Sequence, residues 1–153
     1  MTELADYNRI KRNLDSTAKM LEFKEKAPKV IRAKVAAYEN PEEEMKLNGT
    51  QKSKYFSPES DIIILMLVDR FGYGSWGKIK KALRSHCRMR FDHLVCSRTE
   101  QEIQKRVDIL VRALEREKQV SLADAEKTKN NEREIKEAQD MAMFVDAQQM
   151  HDL

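Results

Sequence analysis

RFDHLVCSRTEQEIQKRVDILVRALERE, residues 90–117, is the stretch whose pattern decides how the rest of the chain is read. Thr99-Glu100-Gln101-Glu102 is a capping box, in which the Thr hydroxyl and the carboxylate three residues on each satisfy the other's backbone amide. From there Ile103, Val107, Leu110, Val111 and Leu114 recur at spacings of three and four, which predicts one apolar helix face. On a helical wheel, Lys105, Arg112 and Arg116 lie roughly opposite that face, with Gln101 beside them. Arg106 falls nearer its edge, where a packed stem paired to an acid competes with an outward-facing role. No helix breaker follows at once, so this helix can run on past Glu117.

Working outward, the chain has 153 residues, room for one ordinary domain or a smaller one with appendages. With 36% charged residues, a compact core must concentrate its apolar residues in segments. Gly (4) and Pro (3) are scarce, and no long run alternates apolar with polar, which favours an all-α protein. Cys87 and Cys96 suggest no disulfide framework and fit a reducing compartment. The longest apolar run, Ile62 to Val68, is far too short to cross a bilayer, and the N-terminus lacks a signal-like apolar region.

The net charge of +3 is unevenly spread. Between Lys78 and Arg98, seven basic residues (Lys78, Lys80, Lys81, Arg84, Arg88, Arg90, Arg98) face a single acid, Asp92, whereas residues 118–153 carry more acids than bases. That asymmetry points to a polyanionic partner.

Before the middle segment, residues 1–40 read as a long charged helix with a narrow apolar stripe: Ile10, Leu14 and Leu21, then Ile31, Val35 and Tyr38. Pro28 removes one helix hydrogen bond and disfavours helical geometry at Ala27, so a kink, or two helices roughly sharing an axis, is expected there. Residues 41–54 read as a linker, with Glu42–Glu44 as a solvated turn and Met45 and Leu47 as anchors. Ser57-Pro58-Glu59 is a strong helix start, and the apolar wrap from Ile62 to Val68 marks the most buried helix. Ser75 can cap a short helix with Trp76, Ile79 and Leu83 facing inward. Residues 84–98 form a connection anchored by Met89, Phe91, Leu94 and Val95. Residues 121–153 read as a tail, helical or disordered, with a patchy apolar set at Ile135, Met141, Phe144, Val145 and Met150.

Three helices, with Phe56 just before the first cap, Trp76 opening the second and Arg98-Thr99 opening the third, resemble a Myb/SANT-type module. Within that group, Arg90-Phe91-Asp92, Ser97-Arg98-Thr99, Gln104-Lys105-Arg106 and Leu114-Glu115-Arg116-Glu117 are similar to the SLIDE domain of ISWI-type chromatin-remodelling ATPases. Tyr7, the Tyr38-Glu39-Asn40-Pro41 exit and the Lys-rich lead into Tyr55 resemble the spacer that precedes it. Pro28 within the spacer and His93 in place of an aromatic depart from the pattern. The resemblance implies a spacer helix (1–40), a linker (41–54), a SLIDE domain (55–120) and a tail (121–153), forming a C-terminal piece of a larger nuclear remodeller. It implies binding to linker duplex DNA and nucleosomes, with ATP hydrolysis on separate lobes. No phosphate-cradling Gly-rich loop with its lysine occurs in this sequence, so the chain itself is expected to be no enzyme.

The residues expected to contact DNA are Lys105, Arg112 and Arg116, supported by Arg84, Arg88, Arg90 and Arg98, with Arg106 shared between contact and structure. Glu100 and Glu102 occupy the turn that would enter a major groove, so contacts to phosphates, which carry no base specificity, are expected. His86, Cys87, His93 and Cys96 match no zinc spacing, and neither a metal nor another cofactor is expected. The alternative is a SANT-type protein-interaction module for histone tails or a remodeller accessory subunit. A basic tail needs an acidic face, which only Glu42–Glu44 and residues 118–153 offer. A third possibility is a structural ruler that carries no ligand.

Overall fold

The computed structural model describes residues 2–151, and side chains from residue 4 on. Regular structure among them is helical throughout: α1 (Thr2–Ala36), α2 (Pro41–Glu44), α3 (Pro58–Phe71), α4 (Trp76–Ser85), α5 (His93–Cys96) and α6 (Glu100–His151). The chain divides into two compact units, one running through Glu115 and the other starting at Arg116.

The first unit is built around α3. The Ser57 hydroxyl accepts the Ser60 amide at 3.1 Å, Pro58 supplies a preset φ where no amide is needed, and Glu59 and Asp61 sit in the first turn. Five of the seven residues from Ile62 to Val68 are buried, and Ile62 and Met66 are half-buried. The helix stops at Gly72, whose φ of +93° lies where side-chain-bearing residues are strained, and whose amide donates to the Val68 carbonyl at 2.8 Å. A second positive-φ glycine, Gly74 (+105°), turns the chain into α4. There Ile79 and Leu83 are fully buried and Trp76 is half-buried. Ser75 occupies the cap position with no side-chain hydrogen bond to the helix, so its carbonyl alone serves the turn, accepting the Ile79 amide.

α6 begins as its capping box dictates. The Thr99 amide donates to the Glu102 carboxylate at 2.8 Å and the Glu102 amide to the Thr99 hydroxyl at 3.2 Å. These bonds hold the Glu102 carboxyl below its usual range, the Thr99 amide contributing most and nearby Arg98 adding to it. Ile103, Val107, Leu110, Val111 and Leu114 are all buried. Past Glu115 the helix continues to His151, as the absence of Gly and Pro from residues 99–151 permits. Of the two expected states of the tail, helix is the one adopted, and its side chains from Lys118 on are exposed.

α1 runs unbroken through Pro28 but is not uniformly partnered. Ala27 and Ile31 are fully buried, and Phe23, Val30, Val35 and Tyr38 pack around them. Ile10, Leu14 and Leu21, expected on the same stripe, are 58%, 65% and 57% exposed. Met20, which at about 100° per residue shares the face of Ala27 and Ile31, is exposed as well. Residues 4–22 are exposed whichever face they occupy, so the core covers α1 only from Phe23 on.

The stretch read as a linker adds one short helix, and its expected anchors pack as read. Pro41–Glu44 forms α2, and Met45 is buried, with Leu47 half-buried. In the connection after α4, Met89 and Val95 are buried as expected, but Phe91 and Leu94 are 72% and 54% exposed. Asp92 caps α5 by accepting the Leu94 and Val95 amides at 3.1 and 3.2 Å. In a single helical turn only one side can face inward, and Val95 takes it. Among the described residues, no helix is long and apolar enough to cross a membrane.

Ile31→Ala is expected to cost about 2–4 kcal/mol in urea unfolding. Ile10→Ala should stay within about 0.5 kcal/mol; equal losses would contradict the division of α1. Because the Glu102 carboxyl is depressed, its share of stability is present above the usual carboxylate range and fades as pH falls through its lowered value. Glu102→Gln should flatten the acid limb of a stability-versus-pH curve below about pH 4.5.

Candidate nucleic-acid interface

Arg106 separates itself from the other candidate cations. Its Nε and one terminal nitrogen donate to the two Asp61 carboxylate oxygens at 2.9 and 2.7 Å, and the other terminal nitrogen donates to the Gln51 carbonyl at 2.9 Å. Both side chains are buried, and the guanidinium also lies 5.7 Å from the centre of the Phe56 ring. Burial pushes the Asp61 carboxyl up, and the Arg106 guanidinium pulls against that shift. With its donors taken inside the core, Arg106 is a structural residue. Its assignment to DNA contact is corrected on that ground.

Its neighbours on α6 point elsewhere. Lys105 and Arg112 are exposed. The Arg112 guanidinium stands 5.4 Å from the centre of the Phe23 ring of α1. Phe23 meets Tyr73 edge-on at 6.4 Å, and Tyr73 meets Trp76 likewise at 5.0 Å. Trp76 is thus part of a packed aromatic row, as its expected core role requires. Tyr73 donates its hydroxyl to Asp108 at 2.6 Å, and burial, reinforced by that carboxylate, holds the phenol well above its usual range. The row ties α1 to α6 beneath the cationic face. Arg116, which opens the second unit, is exposed within it.

The loop cations have unequal fates. Arg88 is gathered by three acids, Glu42 at 3.1 Å, Glu59 at 3.6 Å and Glu43 at 3.7 Å, and Nε2 of His86 lies 3.8 Å from Glu42. Glu42 and Glu43, expected in a solvated turn, therefore partner the basic loop. Arg98 donates to the Leu94 carbonyl at 3.0 Å, to Ser97 Oγ at 3.1 Å and to Glu102 at 3.2 Å, and lies 4.2 Å from the centre of the Tyr55 ring. It braces the entry to α6 at least as much as it faces outward. Arg84 donates Nε to the Cys96 carbonyl at 3.1 Å and is otherwise exposed, and Arg90 lies 4.5 Å from the centre of the exposed Phe91 ring.

Two features escaped the sequence pattern. Tyr55, 40% exposed between Lys54 and Arg98, is an aromatic set among cations, and Lys52-Ser53-Lys54-Tyr55 was the available signal. The neutralisation of Arg88 had no local signal, because Glu42 and Glu59 are distant from it in the chain. Cys87 and Cys96 are free thiols, and no group of acids, histidines and cysteines among the described residues could hold a metal ion.

The SLIDE sequence profile matches residues 8–118. A probable chromatin-remodeling complex ATPase chain of Oryza sativa subsp. japonica is 38% identical over 118 residues, covering 76% of this chain and 11% of the rice protein. An ISWI chromatin-remodeling complex ATPase of Arabidopsis thaliana is 37% identical over the same shares. A human SWI/SNF-related, matrix-associated, actin-dependent regulator of chromatin (subfamily A member 1) is 24% identical over 138 residues, covering 88% of this chain and 13% of the human protein. The chain thus spans about a tenth of the length of these relatives.

Arg106→Ala strands a buried carboxylate and is expected to cost about 3–5 kcal/mol in urea unfolding. Lys105→Ala, one residue away, should cost under about 0.5 kcal/mol. A cost below about 1 kcal/mol for Arg106→Ala would return that side chain to the surface.

Proposed function

The chain belongs to the SLIDE family, and on that footing we propose that it grips the backbone of linker duplex DNA beside a nucleosome, as one module of a nuclear ISWI-type remodelling ATPase. ATP hydrolysis is assigned to lobes elsewhere in the longer parent protein, and this module contributes binding alone. The observation that carries the proposal is the exposed cation pair Lys105 and Arg112 on α6, next to a basic connection from which Arg84 and Arg90 also reach solvent. Arg116, four residues after Arg112, is the next cation of the same sequence pattern. Arg88 and Arg98 act from partly neutralised positions, and Arg106 acts only by holding α6 in place.

Backbone contact is favoured over base reading by the first turn of α6. Glu100 is exposed there, while Glu102 is committed to the capping box, so a groove lined by phosphates would meet carboxylates first. Cations further along the helix can still reach phosphates, which supply affinity and position without sequence information. Docking of a basic histone tail is less well supported. Glu42 and Glu43, part of the acidic surface it would need, already pair with Arg88.

Duplex DNA of arbitrary sequence should bind with nearly equal affinity. For about four to six phosphate contacts, the log-log salt slope should lie at roughly −4 to −5. Charge reversal at Lys105 and Arg112 together should weaken all sequences alike, by about tenfold or more, and make the slope shallower by about one for each phosphate no longer neutralised. Binding that ignores salt, or none at low salt, would overturn the proposal in an electrophoretic shift series.

A further inference from the structure

Between the end of α4 and α5 lies an open notch of about 440 Å³, lined by Arg84, Arg90, His93, Cys96 and Ser97. Its chemistry is one-sided, since two guanidiniums, an imidazole and a hydroxyl face it and no carboxylate lines it. Among the described residues, neither Arg84 nor Arg90 has an acid within ion-pair distance. That sets them apart from Arg88 and Arg98, each of which meets at least one. Asp92, the sole acid in the basic run, has turned its carboxylate onto the Leu94 and Val95 amides.

The donors are also held in place. The bond from Arg84 Nε to the Cys96 carbonyl fixes one edge of its guanidinium and leaves both terminal nitrogens for another acceptor. Arg90 rests against the Phe91 ring. Ser97 is held by the Leu94 carbonyl, to which its hydroxyl donates, and by Arg98, from which it accepts. The Cys96 thiol donates away, to the Met89 carbonyl at 3.1 Å. Two planar forks and the His93 ring around one space suit an anion with three or more acceptor oxygens, whereas a planar carboxylate would occupy only one fork.

We infer that this notch is a phosphate-binding site, built by Arg84 and Arg90 with His93, in the connection that precedes α6. The shared chemistry is the phosphate group, supplied by a DNA backbone diester or by a free phosphate. The first source rests on the DNA-binding proposal above, and the second does not. With DNA bound, the notch fastens one backbone phosphate at the α4–α5 connection while α6 engages others, which fixes the orientation of the duplex on the module. The exposed Phe91, rather than packing into the core, serves as the plate that steadies Arg90.

The test is an NMR titration of the whole chain at fixed ionic strength, following the backbone amides and the arginine Nε–H signals. Inorganic phosphate, with chloride at matched ionic strength as control, should shift Arg84, Arg90, His93 and Ser97 saturably. A short duplex should shift the same signals together with Lys105 and Arg112. Arg90→Gln, at an exposed side chain away from the core, should weaken phosphate at least about fivefold, because a charge-assisted hydrogen bond is removed, with the α3 amides unmoved. Phosphate shifting the notch while duplex DNA fails to bind would support a free phosphate as ligand and sink only the DNA proposal. Duplex shifting α6 alone, with phosphate giving no saturable change at the notch, would overturn the inference and leave DNA binding intact. Equal phosphate binding by Arg90→Gln would overturn it as well.

Discussion

Asp61 and Arg106 meet through two hydrogen bonds, at 2.7 and 2.9 Å, inside a core that is apolar but for them and Ser60. A bidentate pair tolerates little rotation of either helix, so it sets how α6 is turned against α3. Successive residues on a helix are about 100° apart. Drawing Arg106 inward therefore turns Lys105 outward and brings Val107 and Ile103 onto the core. The third Arg106 bond, to the Gln51 carbonyl, carries the same constraint into the segment before α3. Hydrophobic burial supplies the bulk of the stability, with Ile63, Ile64, Leu65, Ile79, Leu83, Ile103 and Leu110 fully buried. The ion pair adds direction, which apolar contact by itself lacks.

A second organising effect is the way acids are distributed among the cations. Arg88 is surrounded by Glu42, Glu43 and Glu59, and Arg98 shares Glu102 with the helix cap. Asp108 is taken by the Tyr73 hydroxyl. The positive surface is therefore smaller than the count of Lys and Arg suggests, since Arg88 and Arg98 meet acids and Arg106 is buried against Asp61. Surface ion pairs of this kind contribute little to stability, and their effect is on where the field points.

The long helices at either end follow a different rule. Only the C-terminal part of α1 is held by tertiary contact, and Leu14 and Leu21 stay in solvent together with every other described side chain before Phe23. α6 from Lys118 to His151 is helical with its side chains exposed, so its helix rests on intrinsic propensity rather than on burial. Helix identity and burial are separate questions in both cases.

Much of the fold was legible in the chain. The cap at Ser57, the box at Thr99 and Glu102, the breakers around Gly72 and the spacing from Ile103 to Leu114 each act within a few residues, and each appears where its local chemistry requires. Lys105 and Arg112 were also readable, since opposite faces follow from helical period. What local pattern could not reveal involves partners far apart in sequence. Arg106 is inside rather than outside because Asp61, 45 residues earlier, is there to meet it. Arg88 is neutralised because Glu42, Glu43 and Glu59 meet it, and Leu94 is left exposed because Val95 took the inward position in α5. The sequence by itself determined where helices start, stop and turn their apolar faces, because those are short-range energies. Which charges are paired or drawn inside was decided by tertiary structure, because an ion pair depends on where two distant side chains meet.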